Sequence, residues 1–344
     1  MIRWTYFLIL LITVPFVLEA QIGGTRSYDF LNLPVNARQS AMGGQGITLG
    51  GNDYNQWLAN PATIDSSSVG GASINFMDYF AGSNYTNISY TLDATRLSSA
   101  IGGIGVGFQY LGHGSMESYD PSGNSLGTFD ANELALTVGT SHRVGPFALG
   151  VNLKYVASNI DAFSSSALLM DIGGLFYPTG NEQLTVGLTL RNFGLVLSDY
   201  SDTSDSTVPF DVQVGATFKP QYMPVRFTIT AYNLTRDDVV YFDAQVEDNN
   251  EQEPGFSEQL FRRMNFGFEF LLSENFQLQA GYNHLTRKEL RLNQVSGGAG
   301  FSFGMLVKIK RISINYGRAF YHTAGASNYF SINTNINQYI KKKS

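Results

Sequence analysis

The sequence predicts an all-β protein, a transmembrane antiparallel β-barrel of about 14 strands preceded by an N-terminal plug segment. Three observations predict it: a secretory signal at the start of the chain, long runs with apolar residues at every second position, and connections that alternate between short and long.

The signal comes first. Arg3 supplies a positive start, Thr5 to Leu18 form an apolar stretch of about 14 residues, and Ala20 offers a small residue at the cleavage point. Residues 1–20 are therefore expected to be removed. No cysteine follows, so lipid attachment, disulfides and thiol chemistry are excluded together. Beyond Ala20 no apolar window reaches the ~18 residues of a membrane helix, so any crossing has to be made by strands. The formal net charge is −6, and the basic cluster is the terminal Lys341, Lys342 and Lys343. That gives a nucleic-acid partner no electrostatic footing.

The alternation is clearest in the second half. In Asp211 to Phe218, Val212, Val214, Ala216 and Phe218 point one way while Asp211, Gln213, Gly215 and Thr217 point the other. Phe227 and Ile229 are set against Thr228 and Thr230, Phe266, Phe268 and Phe270 against Asn265, Gly267 and Glu269, and Ile312, Ile314 and Tyr316 against Ser313 and Asn315. Tilted spanning strands need about 9–11 residues, longer than the ~5–6 usual in soluble sheets. Such runs are predicted near Gly71–Asp78, Asn84–Thr91, Ile101–Leu111, Phe129–Ser141, Pro146–Ser158, Ser166–Tyr177 and Gln183–Phe193. They continue near Pro209–Lys219, Pro224–Leu234, Met264–Leu272, Phe276–Leu285, Val295–Phe303, Lys308–Arg318 and Tyr329–Ile336, which makes the barrel span 71–340.

Connections after even strands read as tight turns: Arg143 to Gly145, Pro178 to Asn181, Pro220 to Met223, Ser273 to Asn275 and Gly304 to Val307. Those after odd strands are longer. Gly112 to Thr128, Gly194 to Val208 and Thr235 to Arg263 run to roughly 15–29 residues, as when short periplasmic turns alternate with extracellular loops. The chain is thus expected in the cell outer membrane, in contact with its lipid, with the long loops outside.

Glu133, Lys154, Asp171, Arg191, Arg226 and Glu269 fall at inward phase, mixed in sign, which predicts a polar lumen holding charge pairs. Gly103, Gly105 and Gly107 share a strand face, as expected of a wall kept thin beside an internal plug. The segment 21–70 alternates poorly and is too long for a lead-in. Within it Leu31, Leu33, Val35, Ala37, Ala41 and Met42 suggest a short irregular helix, and Asn60, Pro61 and Ala62 a turn closing before the wall.

Motifs for chemistry are thin. His113, His142, His284 and His322 are scattered without ligand spacing, and no Gly-x-Ser-x-Gly elbow occurs. Asp199, Asp202 and Asp205 lack the glycine and terminal glutamate of a calcium loop. No catalytic residue, cofactor or metal site is expected. The acidic and aromatic loop Thr235 to Arg263, with Asp237, Asp238, Tyr241, Phe242 and Phe256, is the candidate partner-binding surface. A loop folded back over the barrel mouth is the other reading.

The stretch Gly23 to Gly44, GGTRSYDFLNLPVNARQSAMGG, with Asn60-Pro61-Ala62 after it, resembles the plug of FadL-like barrels. With GYNHLTRKEL at Gly281 to Leu290, GFSFG at Gly300 to Gly304 and INYGRAFYHTAGASNYFSIN at Ile314 to Asn333, the chain resembles more closely the PorQ-type barrels of the Bacteroidota type IX secretion system, rather than their PorV-type relatives. That resemblance implies a non-catalytic anchor in a cell-surface attachment complex, holding a PorZ-like surface protein beside a PorU-like sortase and a PorV-like barrel. The alternative it implies is a FadL-like transporter of hydrophobic small molecules. The C-terminal tail, 341–344, departs from the terminal aromatic common in outer-membrane barrels, so an internal signal such as Tyr329 and Phe330 is expected to guide insertion.

Overall fold

The computed structural model describes residues 27–51, 53–79, 82–94, 101–178, 183–236, 255–289, 297–322 and 325–340. The predicted signal (1–20) and the basic tail (341–344) lie outside them. No helix among the described residues is long and apolar enough to cross a membrane.

Fourteen antiparallel strands close into one barrel, each paired with its sequence neighbours. They are β1 (Gly71–Asp78), β2 (Asn84–Leu92), β3 (Ile104–Tyr119), β4 (Ser125–Val144), β5 (Phe147–Ile160), β6 (Phe163–Phe176) and β7 (Leu184–Ser198). The remainder are β8 (Asp211–Phe218), β9 (Val225–Ala231), β10 (Met264–Phe270), β11 (Phe276–Asn283), β12 (Phe301–Ile309), β13 (Ile312–His322) and β14 (Gly325–Asn335). β14 closes on β1 from Gly71 opposite Asn335 to Asp78 opposite Asn328, so every strand has two neighbours and no sheet edge remains along the wall.

The two faces separate as the alternation predicts. In β10, Asn265, Gly267 and Glu269 are buried inside while Met264, Phe266, Phe268 and Phe270 look outward. Ile74, Leu136, Val138, Leu153, Leu188, Phe303 and Ile332 stand exposed on the outer wall. In water such a band would invite aggregation; in lipid it is the surface that holds the barrel in place. Aromatic neighbours brace it, as where Phe147 and Phe176 stack at 4.7 Å near the short-turn end.

Three predicted boundaries are corrected. Gly304 to Val307 is not a turn but the middle of β12, and the chain reverses at Lys310 with φ of 57°. Gly304 is there because the lumen segment presses on it: a Cβ would lie 2.5 Å from that of Ala41. Gly112 to Thr128 is not an open loop, since β3 and β4 continue as a paired ribbon from Ser115 opposite Asp130 to Tyr119 opposite Ser125. The predicted strand Phe276–Leu285 stops at Asn283, whose side chain accepts from the Thr286 amide and starts a short helix, His284–Glu289.

The segment before β1 lies inside the barrel. It contains a 3-10 turn at Asp29–Asn32, helix α1 (Ala37–Ala41) and 3-10 turns at Gln56–Leu58 and Pro61–Thr63. Asn36 caps α1 by accepting from the Gln39 amide. The predicted irregular helix is thus two short pieces. Two further helices lie at the outer end, α2 (Phe256–Arg262) and α3 (His284–Glu289).

Candidate functional site

The wall glycines show how the lumen segment is seated. A Cβ on Gly105 would lie 2.7 Å from Cε2 of Trp57, and one on Gly107 2.9 Å from Cδ2 of Leu58. Gly103 of the same triplet borders Thr91, Leu92 and Val69 instead. Two and three strands along the wall Gly150 and Gly173 leave room for Pro61, and Gly317 of β13 does so for the Ala37 carbonyl. Each glycine is a notch in the wall, and the segment's bulky groups fill the notches in turn.

Buried charges lock it there. Arg38 of α1 donates from Nε and Nη2 to the two oxygens of Glu269 at 2.7 and 2.8 Å, and from Nη1 to Asp53 Oδ2 at 2.7 Å. Its Nη1 also reaches the Gly50 carbonyl at 2.7 Å. Glu269 takes a further bond from Arg226 at 2.9 Å, and Asp53 one from Asn315 at 3.1 Å. The wall thus holds the segment by a bidentate arginine–carboxylate pair, the strong geometry for such a contact.

A second cluster stands on β5, β6 and β7. Lys154 Nζ lies 2.7 Å from Asp171 and donates to Asn192 Oδ1 at 2.7 Å. Asp171 also accepts from the Asn192 amide at 2.9 Å and from Asn152 at 3.0 Å. The register between β6 and β7 shifts here, between Met170 and Ile172, with Asn192 at φ 57°. This bulge turns both Arg191 and Asn192 inward, and Arg191 Nη2 donates to the Leu31 carbonyl of the segment at 2.9 Å.

The outer half of the lumen differs from the predicted polar interior. Tyr28, Phe30 and Leu31 of the segment pack with Met77, Tyr85, Leu111, Val156, Leu169 and Tyr329 of the wall. The sequence signal for this lay in adjacent apolar pairs that break the alternation, Tyr110–Leu111, Tyr155–Val156 and Leu168–Leu169. The Tyr28 hydroxyl meets Ser165, and the Ser27 amide bonds Thr207 of the β7–β8 connection at 3.0 Å, so the segment enters at the outer mouth. It then lines the wall and leaves toward β1, where Ser141 Oγ meets the Ile64 carbonyl.

Asn60, Pro61 and Ala62 form a capped turn deep in the lumen rather than at the wall's entrance: the Asn60 side chain accepts from the Ala62 amide at 3.0 Å and donates to the Ile47 carbonyl at 2.8 Å. Of the predicted partner loop, Asp237, Asp238, Tyr241 and Phe242 lie outside the described residues. Phe256 opens α2 and is 82 % exposed. α2 docks on α3 through Glu258, which lies 3.4 Å from His284 and 3.0 Å from Lys288. The outer end also carries the free part of the β3–β4 ribbon, which sequence reasoning took for a loop. Among the described residues, β3 has no other neighbour above Gly112 and β4 none above Asp130, whose carbonyl accepts from the Asp161 amide at 3.1 Å. Among the described residues no group of three or more His, Cys, Asp or Glu is placed to hold a metal.

No family model matches the chain, and no curated protein does. Solved structures do. A monoaromatic hydrocarbon channel, the TodX ΔS2S3 mutant, aligns at TM-score 0.51 and 12 % identity over 87 % of this chain and 97 % of its own. A FadL homologue of Pseudomonas aeruginosa aligns at TM-score 0.45 and 10 % identity, over 88 % and 98 %. At such identities the likeness speaks for the fold alone. The fold is that of an outer-membrane β-barrel like the TodX channel, with fourteen strands closed into one wall and the N-terminal segment before them.

Proposed function

We propose that this barrel is a non-catalytic scaffold that holds a surface protein at its outer end while the lumen stays shut. The observation that carries this reading is the Arg38 clamp. Withdrawing the segment would take Arg38 away from Glu269 and leave that buried carboxylate with Arg226 alone, and breaking one such buried pair costs about 3–5 kcal/mol. The β3–β4 ribbon supplies a handle outside. Among the described residues its two strands keep free backbone edges over four paired positions, from Met116 opposite Phe129 to Tyr119 opposite Ser125, and residues 115–130 carry Glu117, Asp120 and Asp130 but no lysine or arginine. Free edges of this kind accept an added strand. The resemblance of Gly281–Leu290 and Ile314–Asn333 to PorQ-type barrels supports a finer version, in which the partner is a PorZ-like protein of a type IX attachment complex.

The experiment is affinity capture of tagged barrel from gently solubilised membranes. Full-length protein is compared with one variant lacking residues 115–130 and another lacking 237–254. Loss of a co-purifying surface protein with either folded variant supports the scaffold. Absence of any surface protein from the intact barrel overturns it.

A second reading is passage of a small hydrophobic compound, and the likeness to the TodX channel speaks for it more directly than for the scaffold. The apolar cluster beneath the outer mouth favours it too, since Phe30 and Leu31 fill a space that such a compound could take if they withdrew. Bound lipid or fatty acid in the purified barrel, with no partner, would transfer the conclusion to this reading.

A further inference from the structure

Lys154, Asp171 and Asn192 stand on three adjacent strands, β5, β6 and β7, and none is more than 1 % exposed. Lys154 Nζ lies 2.7 Å from Asp171 Oδ2 and 2.7 Å from the carboxamide oxygen of Asn192. Asn192 owes its place to the β7 bulge, where a left-handed φ of 57° accompanies two consecutive inward side chains. Its Nδ2 donates to the Pro209 carbonyl at 3.3 Å. Val156 and Leu169, two residues along β5 and β6 on the same inward faces, belong to the apolar cluster of the outer lumen. An amine, an amide and a carboxyl group are thus fixed against one another away from bulk water.

These are the reactants and the proton carrier of an amide exchange. We propose that Lys154 and Asn192 join through an isopeptide bond in the folded barrel, with Asp171 carrying the protons. Asp171 takes one proton from the Lys154 ammonium across their 2.7 Å contact. The Asn192 carboxamide turns about Cβ–Cγ so that its face meets Nζ, and the Nζ lone pair attacks Cγ. A second proton passes from Nζ through the carboxyl group to Nδ2. The Cγ–Nδ2 bond then breaks with its electron pair on nitrogen, and ammonia leaves. Nothing is oxidised or reduced, and Asp171 keeps the first proton. Fixed juxtaposition supplies what an unactivated amide otherwise lacks. The products also carry no buried ion pair, since the ammonium has become an amide and the carboxylate an acid. The bond would tie β5 to β7 across β6, beside the Arg191 that holds the Leu31 carbonyl of the lumen segment. It is argued independently of the scaffold reading.

The test is peptide mapping by mass spectrometry on the full barrel extracted from outer membranes. Trypsin cuts after Arg143, Lys154, Arg191 and Arg226, with Lys219 protected by Pro220, so an unlinked chain gives Val144–Lys154, Tyr155–Arg191 and Asn192–Arg226. The expected product is instead Val144–Arg191, uncut at the acylated Lys154, joined to Asn192–Arg226 and lighter than the two together by one ammonia. Intact mass alone does not suffice, because cyclisation of a Gln21 terminus loses the same ammonia. Chain made in urea and never folded is expected to give the three free peptides, and to link only after transfer to micelles. Lys154→Arg is expected to abolish the link, and Asp171→Asn, which keeps both reacting groups, to slow it about a hundredfold or more. Three free peptides from the membrane-extracted parent, loss of ammonia with Lys154 still cut, or a link formed equally in urea would overturn the proposal, and the parent chain decides these without any variant. A link formed at the parent rate in folded Asp171→Asn would overturn it as well.

Discussion

Arg38 and Glu269 face one another 231 residues apart in sequence, joined by two hydrogen bonds of 2.7 and 2.8 Å in a lumen where both are almost wholly buried. Replacing Arg38 by alanine leaves Glu269 with Arg226 alone and takes from Asp53 its ionic partner. The expected loss of stability is about 3–5 kcal/mol, read as a lower urea midpoint for unfolding in micelles. If the clamp also shuts the lumen, the variant gains conductance in planar bilayers that the parent lacks. A midpoint unchanged from the parent would show that the pair does not hold the segment.

The glycine notches make a sharper steric prediction. Gly105→Val would drive a side chain into the Trp57 ring, already 2.7 Å from where a Cβ would lie. Over-packing of this kind costs about 1–3 kcal/mol when neighbours can shift, and more when they cannot. The segment should loosen at that point, exposing Arg38 to trypsin in otherwise folded barrel. A protected Arg38 would mean that Trp57 can move aside.

Phe30→Ala tests the apolar cluster under the mouth. The ring packs among buried groups, so its removal is expected to cost about 3–5 kcal/mol if the space stays empty. A smaller cost, accompanied by new binding of an apolar fluorescent probe, would mean that the vacated space accepts hydrophobic ligands. Unfolding curves with and without the probe distinguish the two.

The α2–α3 contact at the outer end should loosen in acid. Although partial burial alone would raise the Glu258 carboxyl, the Lys288 and His284 side chains bonded to it bring it below its ordinary value of 4.5. A depressed carboxyl stabilises the contact fully above its unfolded value and loses that contribution as pH falls through the folded one. The protection of residues 256–262 against amide exchange, taken relative to the intrinsic rate at each pH, should therefore hold from about pH 7 to 5 and fall below about pH 4. Lys288→Gln should move the onset to higher pH, whereas an onset unmoved by that change would remove Glu258 from the account.

Much of the wall was legible because a spanning strand has a period of two and two different solvents. Val212 to Phe218 cannot be shifted by one residue without exchanging lipid and lumen faces. The inward charges Lys154, Asp171, Arg191 and Glu269 were legible for the same reason, and all four are buried. Where the period was misread, a contact from outside the strand was responsible. Gly304 looked like a turn residue because sequence does not reveal that Ala41 lies against it.

Local alternation and connection length were enough to show that the chain forms spanning strands, how many there are, and where the inward charges of the wall lie. Which charges meet, and the apolar filling of the outer half of the lumen, depend on the closed barrel. The Arg38–Glu269 pair and the notches that seat Trp57 and Pro61 join residues far apart in the chain. No period encodes such contacts; they exist because a closed barrel forces its own N-terminal segment and opposite walls into one confined volume.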